Sequence, residues 1–477
     1  MHRYMICFTL ILVFVYSFDI FNLNNLNKKI DNTVSTSNFV YNDTLSPKIE
    51  SISPSKCEKY IVGMPTIKIC YSDNDDIDLS SIRFFINYKD VTKDCIINKN
   101  VLEYTPSKKF NRGNQIAKID ISDASNNKTS FEWYFTVGTP IYTHYRGLLH
   151  SHTNASDGHG TFDDAYYMSK YKANLDFFAI TEHSNMFDNF IKCNLNNADS
   201  SEEWTLLEDT KDKFTTSNEF IALRGFEMSY DYTNPNSLGH INIFNSKGFI
   251  TEQHPNMDNL TTFYNTISLD ENLIGQFNHP CLDFGLFNNF NYHANADKII
   301  NLIEVGNGYK ENTSDNRVSF DKYQLALDKG WHLSPTCNQD NHIVDFGVAN
   351  EFRTVILATA LTEDSIYDAL KNRRTYATQD KNLKIDFNIN DLPMGTIINN
   401  PSKLHLSVSA IDPDYDDFIK EIQIISNNAK LIKSKTFDSN IAKLECNIKD
   451  TQSNTFYYIK IIQNNDKVSV TAPIWIK

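Results

Sequence analysis

Residues 175–183 read Leu-Asp-Phe-Phe-Ala-Ile-Thr-Glu-His: an apolar run that stops abruptly in three polar residues, the last an imidazole. Four consecutive apolar residues, 177–180, flanked by polar ones, mark a short buried strand. In folds built on parallel strands the chemistry gathers where strands end, and His183 is placed there. The same grammar recurs along the chain. His150-Ser151-His152 follows the run 145–149, residues 221–226 end in Glu227, and Gly239 leads into His240. Residues 274–278 end in His279-Pro280, and 333–339 run to Asp340-Asn341-His342. One such ending is chance; five or six in order make a site.

Around these endings, strand-like runs (177–180, 273–275, 300–305, 355–358) alternate with helical stretches at 162–172 and 317–329. Strand, helix, strand over residues 140–381 predicts an α/β barrel or sheet. Residues 46–139 carry short β-rich pieces at 67–71, 82–88 and 131–137, separated by polar turns, and predict a β-sandwich. From residue 382 to 477 the β signature returns at 385–389, 404–410, 457–463 and 468–476, predicting a second sandwich. The expected fold class is thus multidomain, α/β flanked on both sides by β domains. Residues 21–45 are a polar linker; seven of the 21 residues from Asn22 to Asn42 are Asn.

The 477 residues exceed one ordinary domain, and 41% hydrophobic with 22% charged residues is ordinary globular usage. A net charge of −14 argues against a broad basic face for a nucleic-acid polymer. The apolar run from Met5 to Phe18, preceded by Arg3, is short of the roughly 20 residues of a membrane span but suits a secretory signal. No small-x-small cleavage site follows, so residues 1–20 read as a signal peptide or an uncleaved anchor. An exported protein, extracellular or attached to the envelope, is the expectation. Eight cysteines without a CxxC pair support no thiolate metal site; a bridge within Cys57, Cys70 and Cys95 is compatible with their clustering.

Histidine is concentrated. Eleven of the 13 fall between His144 and His342, about twice the share that stretch would hold by length. Imidazole with carboxylate is the donor set for zinc, iron or manganese. On a strand, His150 and His152 project from one face. Asp157 sits in the turn Ser156-Asp157-Gly158, where a carboxylate folds back over a strand end. His159 in the same loop, and Arg353, Arg373 and Arg374 as partners of an anion, are weaker candidates; Asp176 orients a strand end or caps a helix. No GxSxG elbow, Walker A loop or complete calcium loop is present.

These contexts in this order resemble the PHP (polymerase and histidinol phosphatase) superfamily, from about Tyr145 to Asp380. The carriers are the HSHTNASDG opening at 150–158, ITEH at 180–183, GFE at 225–227, Gly239-His240, Asn278-His279-Pro280 and Asp340-Asn341-His342. The ending Ala472-Pro473-Ile474-Trp475-Ile476 also looks like the CehA/McbA-like subgroup, named for carbamate hydrolases. The resemblance implies a distorted (β/α)7 barrel with two or three divalent ions (Zn, Mn or Fe) at the strands' carboxyl ends. It implies that His150, His152, Glu227 and Asp340 hold one metal. Glu227 would bridge to a second held by His240 and His279, and Asp157, His183 and His342 would hold a third. Asp340, His183 and Glu227 would also carry the chemistry. Two positions depart from the commoner family pattern: Glu182 stands where Asp is usual, and Asp157 where some members use histidine.

Adjacent divalent metals make hydroxide accessible near neutral pH and clamp an in-line displacement. The implied activity is hydrolysis by a metal-bridging hydroxide, with a small anionic phosphoester as the expected substrate. Three metals leave the site positive, which suits a phosphomonoester. Two leave it near neutral, which suits a carbamate, ester or amide, the alternative substrate class. The rival reading is a non-catalytic exported surface-binding protein whose metals stabilise a scaffold; a scaffold does not need nine ligand-type residues at strand ends.

Overall fold

In the computed structural model, residues 43–61, 63–230, 238–281, 285–308, 317–414, 416–449 and 453–477 are described. The signal or anchor expected at 1–20, and all but the last three residues of the expected linker, lie outside them. Alternating apolar residues build the first layer pair. Lys48–Ser53, Ile67–Ser72, Val101–Tyr104 and Cys95–Asn98 make one antiparallel sheet. Lys89–Asp90, Ile77–Ile86, Gly113–Asp123 and Lys128–Val137 make the other. Ile67, Ile69, Phe84, Leu102, Ile119, Trp133 and Phe135 fill the space between them, and the Trp133 indole N–H donates to the Pro54 carbonyl at 2.9 Å. The strand expected at 82–88 stops at Ile86, because Asn87 and Tyr88 take positive φ in a turn.

The middle region runs β1 (Thr143–Leu148), α1 (Phe162–Tyr171), β2 (Phe177–His183), α2 (Glu202–Phe214), β3 (Ile221–Ser229), β4 (His240–Phe244), α3 (Leu260–Ile267) and β5 (Ile274–Asn278). It continues with β6 (Ile300–Asn307), α4 (Phe320–Asp328), β7 (Ser334–Cys337), β8 (Arg353–Ala358), α5 (Glu363–Lys371) and β9 (Thr375–Thr378). The pairs β1–β2, β2–β3, β5–β6 and β6–β7 are parallel. β4 is antiparallel to both its neighbours. The sheet curls until a parallel bridge joins Ser151, beyond β1, to Asn341, beyond β7. Along that seam β7 meets β8 through a side chain: Thr354 Oγ1 accepts from the Cys337 amide at 2.9 Å and donates to its carbonyl at 3.0 Å. The helix expected at 317–329 begins only at Phe320, because Arg317–Val318 pairs with Gly306–Asn307.

The sheet does not stop where the middle region ends. β8 pairs with β1 on its outer side, β9 with β8, and Val468–Thr471 with β9. Thr455–Gln463, Ile419–Ser426 and Lys430–Ser439 extend it further. A four-stranded sheet of Leu392–Pro393, Lys384–Ile389, Leu404–Ile411 and Ile441–Ile448 covers this extension. The core between them takes in Val355, Leu357 and Tyr376 from β8 and β9 together with Phe387, Ile422 and Ile459. One core and one sheet therefore cross position 381, and Leu45–Lys477 is a single compact unit. The run expected as one strand at 468–476 is two, broken at Pro473, which has no N–H for a ladder. The seven described cysteines are all free thiols, so no bridge joins Cys57, Cys70 or Cys95. Among the described residues, no helix is long and apolar enough to cross a membrane.

Candidate metal centre

The buried strands β2, β3, β5 and β6 are mostly apolar before their last residues, with Arg224, Gln276, Asn301 and Glu304 as polar exceptions, and their polar ends collect at one rim of the curled sheet. Because β4 runs backwards, it contributes there through its first residue: His240 pairs with Ser229 on one side and Asn278 on the other. The turn after β1 returns sharply at Gly158. A Cβ on that residue would stand 2.5 Å from the His152 carbonyl oxygen, so only glycine fits. Glu182, fully buried, pins the same turn by accepting from the Thr153 amide at 2.8 Å, the Thr153 hydroxyl at 2.5 Å and the Ser156 hydroxyl. Burial pushes the Glu182 carboxyl up to about 7.

All nine ligand-type residues expected from the sequence come together at this rim. His150 Nε2 lies 3.1 Å from His152 Nε2, 3.2 Å from Glu227 Oε1 and 3.2 Å from Asp340 Oδ1. His152 Nε2 is 3.3 Å from Asp340 Oδ1 and 3.5 Å from Glu227 Oε2. Glu227 stands at the middle with its two oxygens facing different rings. Oε1 is 3.4 Å from both His240 Nδ1 and His279 Nε2, whereas Oε2 is 2.8 Å from His183 Nδ1. At the outer edge Asp157 Oδ1 is 3.5 Å from His183 Nε2 and 3.2 Å from His342 Nε2. Among the described residues the donors form overlapping groups that include His150/His152/Asp340, His150/Glu227/His279, His183/Glu227/His240 and His152/Asp157/His183/His342. His240 and His279 thus both face Glu227 Oε1.

These spacings fit a cation. Metal–ligand bonds of about 2.0–2.2 Å put neighbouring ligands roughly 3.0–3.4 Å apart in octahedral or tetrahedral shells, the range seen around His150. Asp340 Oδ1 is buried and accepts no hydrogen bond, although two ring nitrogens face it. The other side of several rings is committed. His150 Nδ1 meets Glu304 Oε1 at 2.9 Å and His342 Nδ1 meets the Asp340 carbonyl at 2.8 Å. A carbonyl accepts only, so His342 Nδ1 carries a proton, and Nε2 is the nitrogen turned toward Asp157. Two candidate ligands also hold strained backbones: His279, ahead of a proline, has φ 28°, and Asp340 has φ 51°.

With protons as the only countercharge, burial opposes every ion here, but close pairing overrides it for most. Glu227, Glu304 and Asp340 raise His150 well above the usual imidazole range. Glu227 and Asp157 lift His183 to about 10, and Asp157 and Asp340 lift His342 to about 9. Burial and then the His183 charge hold His152 near 3. The rings in turn keep Glu227, Asp340 and Asp157 well below the carboxylate range.

Sequence reading missed Glu304. It lies inside β6, is 1% exposed, and accepts from the His279 amide at 2.8 Å, Asn307 Nδ2 at 2.9 Å and Asn338 Nδ2 at 2.8 Å besides facing His150. A glutamate in the otherwise apolar run Leu302-Ile303-Glu304-Val305 was the available signal. Asn278, whose Nδ2 donates to Glu227 Oε1 at 2.7 Å, and Ser229, whose hydroxyl stands 2.6 Å from His183 Nδ1, were also missed. The weaker candidates lie elsewhere. His159 is exposed and reaches the centre only through its amide, which donates to the His342 carbonyl. Arg353, Arg373 and Arg374 donate to backbone carbonyls away from the centre. Asp176 accepts from the Arg146 amide ahead of β2. A cavity of about 370 Å³ opens over Asp157, His183 and His240, and is lined further by Asn185, Met186, Ser229, Tyr230, Glu252 and Gln253.

No family model matches the chain. An uncharacterized protein of Chlamydia pneumoniae is 22% identical over 381 residues, covering 69% of this chain and 57% of that protein. An uncharacterized protein of Chlamydia trachomatis serovar D is 29% identical over 140 residues, 26% of this chain and 22% of that protein. The chain therefore matches less than two thirds of the length of either relative. Among solved structures, CopC from Methylosinus trichosporium OB3b aligns with a TM-score of 0.17 and 13% identity over 20% of this chain and 94% of its own. β-Glucuronidase 3 from Bacteroides uniformis aligns with a TM-score of 0.27 and 8% identity over 91% of this chain and 64% of its own. Scores this low carry no argument about fold or function.

Proposed function

We propose that the chain is an exported metal-dependent hydrolase of the PHP type, with the middle region as its distorted (β/α)7 barrel and a phosphoester as its substrate. One observation carries the reading: nine histidine and carboxylate side chains from separate strand ends present their donor atoms to one another at ligand-to-ligand spacing. Loaded with two or three divalent ions, such a donor set supplies an activated water near neutral pH and neutralises charge on a phosphoryl group. The chain's own part is to hold and orient. Glu227 divides its oxygens between two sets of rings, Glu304 fixes the His150 ring, and Glu182 fixes the turn that carries His152 and Asp157. In this reading Asp340, with Glu227 and His183, would carry the proton transfer that the attacking water requires.

A second substrate class, carbamates, esters or amides, is favoured by one feature. Among the described residues no Lys or Arg lines the cavity over the centre, so a phosphate dianion would have only the ions and imidazoles to meet it. The test is hydrolysis of an aryl phosphate and an aryl carbamate by the manganese-loaded protein, with the His150→Ala/His152→Ala double variant as control. Turnover of the phosphate that the variant loses supports the reading. Turnover of the carbamate alone moves the assignment to the second class, and protein that retains no metal sinks both.

A further inference from the structure

A second cavity, of about 420 Å³, lies at the other end of the sheet from the metal rim. Residues 173–176, which line it, lead into β2, whose seven residues up to His183 at the rim span about 20 Å. Arg146 comes from β1 and Arg353 from the first position of β8. Lys381, Asn382 and Lys384 come from the chain that leads out of β9 into Lys384–Ile389. In a chain of net charge −14, four of the lining side chains are cationic and one, Asp176, is acidic. Among the described residues, Lys381 alone of the four pairs with a carboxylate, that of Glu351 at 2.9 Å.

The two arginines are oriented by backbone. Arg353, 6% exposed, donates to the carbonyls of Gly347, Asn350 and Phe352, which fix a guanidinium without cancelling its charge. Burial lowers Arg353 to about 10; Glu351 opposes the fall and the Arg146 charge adds to it. Arg146 Nη2 donates to the Asn382 carbonyl at 3.1 Å, but Arg146 Nε and Asn382 Oδ1 are both buried without a partner. Asp176 Oδ2 accepts the Arg146 amide at 2.7 Å, which puts an acceptor-only carboxylate beside the same arginine.

Like charges held together away from water cost free energy unless an anion lies between them. Arg146 Nε and the exposed Lys384 ammonium call for an acceptor. Asn382 Oδ1 and Asp176 call for a donor. Sulfate or a carboxylate meets the first demand and fails the second, because neither carries a proton near neutral pH. Hydrogen phosphate meets both: its bare oxygens accept from the cations and its P–OH donates to the amide oxygen or the carboxylate.

We infer that this cavity binds a protonated phosphate group, carried by inorganic phosphate or by a small monoester. Arg146 and Lys384 are its direct contacts, Arg353 adds charge from behind, and Asn382 and Asp176 receive the P–OH. The volume leaves room for an ester group beyond the phosphate. The site is separate from the metal centre, takes part in no bond change, and stands whether or not the phosphoester reading holds.

The test titrates three anions by calorimetry at pH 7 into the manganese-loaded full chain: inorganic phosphate, inorganic sulfate and 3,4-dihydroxybutylphosphonate, a monoester analogue that cannot be hydrolysed. Phosphate is expected to bind at least about tenfold more tightly than sulfate, to keep that affinity in the His150→Ala/His152→Ala variant, and to lose at least about tenfold in Arg146→Gln. Lys384→Gln, at an exposed side chain, is expected to cost less and serves if Arg146→Gln does not fold. Tighter binding of the phosphonate than of phosphate assigns the site to a monoester, and the reverse assigns it to free phosphate. Phosphate binding that Arg146→Gln leaves unchanged and the histidine variant loses belongs to the metals and overturns the site. Sulfate as tight as phosphate overturns the assignment to a protonated phosphate, and binding of none of the three overturns the site altogether.

Discussion

Glu304 Oε1 stands 2.9 Å from His150 Nδ1, with both side chains fully out of solvent, and so decides which nitrogen of His150 is left to face Asp340 and Glu227. A carboxylate behind a ligating imidazole keeps the proton on the rear nitrogen and makes the front one more basic.

Glu304→Gln preserves shape but lets the amide donate to His150 Nδ1, which would place the proton on Nε2. Removing a partner of this kind typically costs about 10–100-fold in metal affinity, and that is the loss expected here. Competition with a chelating indicator measures it; affinity within twofold of the unaltered chain would show that Glu304 is only packing.

Metal affinity should rise with pH from 6 toward 9. His183, lifted to about 10, and His342, lifted to about 9, hold protons that a cation must displace. The same shifts set the stability of the metal-free chain. Both folded values lie above the ordinary imidazole value, so their stabilisation is complete below about pH 6.5 and is lost as pH rises through 9 to 10. Thermal unfolding of the chelated chain should move to lower temperature across that window, and that of the loaded chain should not. Identical profiles would contradict the pairing.

Asp412 → Asn should stabilise the chain above pH 6. Burial, with Asp380 and Asp417 nearby, pushes the Asp412 carboxyl up to about 6, and Gln463 Nε2 donates to it at 2.7 Å. A raised carboxyl contributes stability that is present below about pH 4 and lost as pH rises through 6, so a neutral amide removes the loss. Denaturant midpoints at pH 5 and pH 8 check it: the gain belongs at pH 8 alone.

Gly158→Ala brings a methyl to within 2.5 Å of the His152 carbonyl and must displace the turn. A cost of about 1–3 kcal/mol and a loss of bound metal are expected together, because the turn carries both His152 and Asp157. Trp133→Ala, in the N-terminal sandwich, should cost about 3–5 kcal/mol with metal content intact. Loss of metal in the second variant, or its retention in the first, would undo the assignment of the turn.

The rim of the curled sheet was legible in the sequence because burial and strand ends are local properties. Phe177–Ile180 can only be a buried run, and the residue that follows such a run emerges where the sheet stops, so His183, Glu227 and His279 announced themselves. So did the β character of residues 46–139 and 382–477. Contacts between distant segments were not legible. Glu304 looks like an interruption of a strand until β6 is laid beside β5 and β7, 25 and more residues away, and its two oxygens find His150, His279 and Asn338. The contact of Glu252 with Asn185 joins residues 67 apart in loops with no periodicity at all. Nor does any local pattern say that the sheet passes through position 381 to Val468–Thr471. Hydrophobic period sets which face of a strand is buried, whereas the neighbour it is buried against is chosen by long-range packing, and at this centre the neighbours decide where every proton sits.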